Sequence, residues 1–196
     1  MNAAISRAKA EWSGPKRDGL TRPLDYFYAR AGLALPEFRV LTGAEVPPPF
    51  QQLLVHVNDM TPTLEEYYGD AIELRVLGRR RRGQEYWREV VLLLRGSGQP
   101  VEFGANRVLL DRFPAAARQA ILEEGTPLGH IMRDYGVVHT CQPNAFLGMR
   151  ADALMGATLQ LRGQAEVYGR HNRLYGLDGL LLSEVVEILR PPAVQA

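Results

Sequence analysis

An arginine and a glutamate sit at strand positions whose alternation points them away from water, and these two residues offer the sequence's clearest chemistry. In residues 85–94 (EYWREVVLLL) a period of two places Arg88 on the same face as Tyr86, Val90, Leu92 and Leu94. In residues 180–189 (LLLSEVVEIL) Glu184 shares a face with Leu180, Leu182, Val186 and Ile188, whereas Glu187 falls with Ser183 on the other, so Glu184 is expected to look inward and Glu187 outward. Burying a guanidinium or a carboxylate costs several kcal/mol unless a partner compensates it. Arg88 and Glu184 therefore imply either a buried ion pair or a polar ligand site, and the pattern alone does not choose between them.

Two helix starts add to this chemistry. In Thr126-Pro127-Leu128-Gly129, a cap at Thr126 and Pro127 in the first helical position leave the amides of Leu128 and Gly129 free to meet a carboxylate. An ordinary capped helix reads the same residues equally simply. Met60-Thr61-Pro62 repeats the arrangement, so Arg88 with one or two backbone amides could hold an anion.

Other candidates carry less. Residues 79–82, four consecutive arginines between Gly78 and Gly83, read as the solvated tip of a hairpin; they lack the aromatic interleaving of a single-strand binder. His56, His130, His139 and His171 show no metal-ligand spacing, and His139-Thr140-Cys141 is too short to chelate well by itself, so no metal is expected. Cys141 reads as a packed thiol. No phosphate loop, dinucleotide fingerprint or serine-hydrolase elbow occurs, and no cofactor is expected.

The elements that must position these residues follow from pattern. Residues 1–23 are polar, with Gly14-Pro15 and Arg22-Pro23, and read as a mobile arm ahead of a single domain over 24–196. Helices are expected over 25–31, 50–57 and 62–68. Strands are expected from residue 71, over 85–94 and over 101–110, then a helix over 113–121 and a short one to Met132. Residues 134–156 are the least legible, reading as a loop and a short helix. Two strands, 165–175 and 180–189, close the chain across Asp178-Gly179. Hairpins in sequence with few helices between them argue an α+β domain with a mainly antiparallel sheet and flanking helices.

Composition sets the outer bounds. The 196 residues are 46% hydrophobic, enough for one closed core, and the net charge of +1 gives no global footprint for nucleic acid or a membrane surface. One cysteine excludes an internal disulfide, no apolar run approaches a membrane span, and a cytoplasmic monomer is expected.

Taken in order, YWREVVLLL at 86–94, GTPLG at 125–129, YGRHNRL at 168–174 and LLLSE at 180–184, with PFQQLLVHVNDMT at 49–61, resemble the chorismate lyase family over about residues 45–191. The resemblance implies a chorismate lyase-like fold and a cofactor-free lyase that converts chorismate to 4-hydroxybenzoate and pyruvate. It implies that Arg88 grips the ring carboxylate, that Leu128 and Met60 contribute backbone contacts, that Gly104 sits beside the pocket, and that Glu184 faces the ring hydroxyl. Two departures stand out: the loop before residues 180–184 is one residue shorter than in the better-known branch, and Glu187 becomes the matching acid if the alignment is anchored on Pro191. Residues 137–158 have no counterpart.

Two other readings remain open. One is a free-standing, non-catalytic binder of small aromatic carboxylates; the same fold also resembles the effector-binding domain of some bacterial transcription regulators, although some 45 proline-rich residues are too few for a winged helix. The other is a nucleic-acid binder through residues 79–82, which would show strongly salt-dependent binding.

Overall fold

The computed structural model describes residues 19–192. Seven strands form one antiparallel sheet: β1 (Phe38–Leu41), β2 (Ile72–Arg82), β3 (Glu85–Leu94), β4 (Pro100–Leu109), β5 (His139–Arg150), β6 (Glu166–Gly176) and β7 (Leu181–Leu189). Their order across the sheet is β1-β5-β6-β7-β4-β3-β2, so β7 and β4 lie near its middle. Six helices accompany them: α1 (Leu24–Arg30), α2 (Phe50–Leu54), α3 (Met60–Tyr68), α4 (Ala115–Glu123), α5 (Leu128–Asp134) and α6 (Ala153–Thr158). The expected α+β class and antiparallel sheet are present.

The helices cover both faces. On one, α1 and α6 pack Leu24, Phe27, Tyr28 and Met155 against Trp87, Phe103, Val186 and Ile188. On the other, α4 and α5 bury Tyr86, Val108 and Leu174, while α2 and α3 bury Leu92, Leu94 and Leu189. Eight of ten β3 residues are buried as a result, and hydrophobic alternation weakens wherever a sheet has two interiors.

Several local expectations change. Residues 139–150 form a twelve-residue strand in place of the expected loop. The arginines at 79–82 belong to β2, not to the turn, which is Gly83-Gln84 between Arg82 and Glu85. Two of them are tied down: Arg79 pairs with Glu124 at 2.6 Å, and Arg80 lies 4.6 Å over the Tyr26 ring. Helix α5 begins one residue late, with Pro127 itself at the N-cap and no side-chain cap. Of the expected N-terminal arm, residues 1–18 lie outside the described residues; Leu20 and Pro23 are buried, and Arg22 stacks over Trp87. Among the described residues, no helix is long and apolar enough to cross a membrane.

Candidate functional site

Between the two helix pairs on the second face lies a cavity of about 550 Å³, counting its open mouth. Alternation along β3 explains its position. Tyr86 packs under α4 and α5, Leu92 and Leu94 pack under α2 and α3, and Arg88 and Val90 fall in the gap. Strands β4, β6 and β7 extend this floor with Glu102, Asn106, Asn172, Leu174, Val185 and Glu187. The starts of α3 and α5 close the roof with Met60, Thr61, Leu128 and Gly129. Gly129 permits their approach, since a Cβ there would lie 3.2 Å from the Thr61 hydroxyl and 3.4 Å from the Asp59 Cβ.

Arg88 is 1% exposed and has no carboxylate partner among the described residues. Its Nε donates to Asn106 Oδ1 at 3.2 Å, and its Nη1 is buried without a hydrogen bond. Burial pulls the guanidinium down to about 10, opposed by Tyr86 and Glu124, so it remains charged at neutral pH. Glu102 Oε2 and Asn172 Oδ1 are likewise buried without partners. Burial, then the charge of Glu187, raises the Glu102 carboxyl well above its ordinary range against the pull of Arg170, which favours its protonated, donating form. Three polar side chains with unmet hydrogen bonds thus line one cavity, where such atoms are otherwise rare.

The remaining charge is internally compensated. Arg170, fully buried, donates through Nε to Glu187 at 2.5 Å and through its other nitrogens to the carbonyls of His56 and Asn58 at 3.1 and 3.2 Å. That fork fixes the segment between α2 and α3 and so aims the start of α3 at the cavity. Neither arginine nor carboxylate of this pair has spare bonding demand comparable to Arg88.

Of the residues singled out by sequence, Arg88, Met60, Leu128 and Gly129 meet in this cavity. Glu184 does not. It lies on the opposite face, accepting from Arg173 Nη2 at 2.9 Å and from His171 Nε2 at 3.2 Å, with Arg107 at 3.8 Å. Of the two β7 acids, the one at the cavity is Glu187, the alternative that alignment on Pro191 would have selected. Gly104 does not line the cavity either; a Cβ on it would come within 2.1 Å of the Val186 carbonyl oxygen, so its small size serves strand packing. Glu102, Asn106, Asn172 and Arg170 went unremarked, although the polar residues inside 102–106 and 170–173 carried the same signal as Arg88.

No family model and no curated protein matches the chain. Solved structures do. The chain is similar to the effector domain of PhnF from Mycobacterium smegmatis at 13% identity and a TM-score of 0.52, over 68% of this chain and 88% of that one. Against the longer PhnF structure the TM-score is again 0.52 at 13% identity; the match covers 69% of this chain and spans 65% of that chain's length. A GntR-family transcriptional regulator from Bacillus cereus aligns at 13% identity with a TM-score of 0.44, over 64% of this chain and 95% of that one.

These likenesses correct the family reading. The fold is that of the PhnF effector domain, and the chorismate lyase resemblance is not upheld. With it go the lyase activity, chorismate as substrate and 4-hydroxybenzoate and pyruvate as products. The partner expectations, chorismate as substrate and no nucleic acid, rested on that resemblance and are not upheld either, since the structures the chain is similar to are PhnF and its effector domain. The ordered segments 86–94 and 180–184 misled because they are the buried strand residues any sheet of this topology requires.

Proposed function

We propose that the protein is a non-catalytic binding module for a small organic carboxylate with a compact apolar body and a hydroxyl group at its far end. The observation that carries this reading is the set of unmet hydrogen bonds at Arg88 Nη1, Glu102 Oε2 and Asn172 Oδ1 around one cavity. An unpaired buried guanidinium costs several kcal/mol, and a bound carboxylate would repay it through a charge-assisted hydrogen bond. Leu74, Val90, Leu92, Leu128, Leu174 and Val185 offer apolar walls for the body. Protonated Glu102 and the Asn172 carbonyl suit a hydroxyl, which can both donate and accept. Met60, Leu128 and Gly129 would shape the roof.

The effector-domain likeness favours binding over turnover, and a cytoplasmic setting fits the free thiol of Cys141. The test is calorimetric titration with benzoate, 4-hydroxybenzoate and the neutral analogue benzamide. The acids should bind, the hydroxylated one more tightly, while benzamide should bind at least tenfold more weakly. No heat and no thermal stabilisation with either acid would overturn the reading.

A further inference from the structure

Asp59 occupies the N-cap position of α3, where an aspartate ordinarily accepts a hydrogen bond from the first turn, yet its side chain makes no capping bond. It turns instead toward β5. Its Oδ1 accepts from His139 Nε2 at 2.9 Å and from Cys141 Sγ at 3.3 Å. The three donor atoms lie within 4.8 Å of one another. They border a second opening, separate from the cavity and lined by Val57, Asn58, Thr140 and Gln142 as well.

We propose that Asp59, His139 and Cys141 form a binding site for a divalent transition-metal ion of the zinc class. Sequence spacing concealed it, because the two β5 ligands are too close to chelate alone and the third arrives from a helix cap 80 residues away. In a tetrahedral zinc site with bonds of about 2.0–2.3 Å, neighbouring donor atoms lie roughly 3.3–3.8 Å apart. Reaching those separations needs shifts of roughly half an ångström for the two Asp59 pairs, while His139 Nε2 and Cys141 Sγ, within 4.8 Å of each other, close by about an ångström at most. Cys141 and His139 project from the same side of β5 at i and i+2, and α3 is held beside them by the Arg170 fork.

The outer contacts fit the same role. His139 Nδ1 lies 2.8 Å from the Val137 carbonyl, the backbone hydrogen bond that orients many metal-bound imidazoles and leaves Nε2 as the ligand. Thiolate, imidazole and carboxylate together suit zinc or cobalt rather than magnesium or calcium. On binding, the Cys141 Sγ–H and His139 Nε2–H protons leave to solvent, and three metal bonds replace the two hydrogen bonds to Asp59. The opening at Thr140 and Gln142 leaves the fourth position for water.

Cobalt(II) titration of the full chain, pretreated with chelator, tests the site. One equivalent should give a thiolate-to-cobalt charge-transfer band and the intense visible bands of four-coordinate cobalt, both displaced by zinc. Cys141→Ser should abolish the charge-transfer band, and His139→Ala and Asp59→Asn should each weaken binding at least tenfold, with unchanged far-ultraviolet circular dichroism confirming that each variant is folded. A featureless titration of the wild type, or charge-transfer and affinity unchanged in folded His139→Ala and Asp59→Asn, would overturn the proposal.

Discussion

Arg88 and Glu184 lie on opposite faces of the same sheet, Arg88 at the cavity and Glu184 on the face of Val186 and Ile188, held by Arg173 and His171. The backbone of β4 stands between them in register, with Asn106 opposite Arg88 and Arg107 opposite Glu184. Neither can share a ligand with the other, so their substitutions should separate cleanly.

Glu184→Ala strips two basic neighbours, Arg173 and His171, of a common acceptor. Because Arg173 is 42% exposed, water recovers part of the loss, and destabilisation of roughly 2 kcal/mol is expected. Carboxylate affinity should stay within twofold of wild type. Urea denaturation and calorimetry on the same preparation measure both.

Arg88→Met is expected to behave in the reverse manner. Replacing an unpaired buried charge with an apolar chain of similar length should leave stability unchanged or raise it by about 1–3 kcal/mol, while carboxylate binding falls by a hundredfold or more. A clear loss of stability on denaturation would mean that Arg88 is held by the protein rather than by a ligand.

Glu102 should leave a signature in pH. Its carboxyl is raised in the fold, chiefly by burial, so the folded chain keeps a proton that the unfolded chain sheds above its ordinary value of 4.5. The associated stability is fully present below 4.5 and is lost as pH rises through the raised folded value. From about 4.5 upward, wild type should lose stability relative to Glu102→Gln, by at most about 1.4 kcal/mol per pH unit. Parallel denaturation profiles for the two proteins would mean that Glu102 is ionised in the fold.

Gly104→Ala should be among the most damaging single substitutions in the chain. The added methyl meets a backbone oxygen at 2.1 Å, and the partner is a central strand that cannot rotate aside. Destabilisation of about 4 kcal/mol or more is expected, seen as aggregation or a strongly lowered melting temperature.

The strands of β3, β4, β6 and β7 were legible because runs such as 90–94 and 185–189 are dense in Val, Ile and Leu. Strand β5 was not, since His139, Thr140, Gln142, Pro143 and Asn144 mask its alternation. Pro143 is tolerated because β1 pairs only with residues 146–149, which leaves that side of β5 open at Pro143, and the register shifts there against β6. Alternation put Glu184 and Glu187 on opposite faces, but the expectation that Glu187 looks outward fails, since it is buried at the cavity. With helices on both sides, each is inward. The Asp59 cluster was invisible for a different reason: it exists only once α3 and β5 are brought together.

Strand β7 is gripped between two glycines, Gly104 of β4 and Gly169 of β6, whose absent Cβ atoms would lie 2.1 and 2.2 Å from the carbonyl oxygens of Val186 and Glu187. Backbone contact that close gives the floor of the cavity almost no freedom to reshape. Adaptation to a larger or smaller ligand therefore falls to the roof, where Met60 and Leu128 enter from two short helices joined by the His130–Glu65 contact. Under the proposed binding role, selectivity lies with the roof and recognition with the floor.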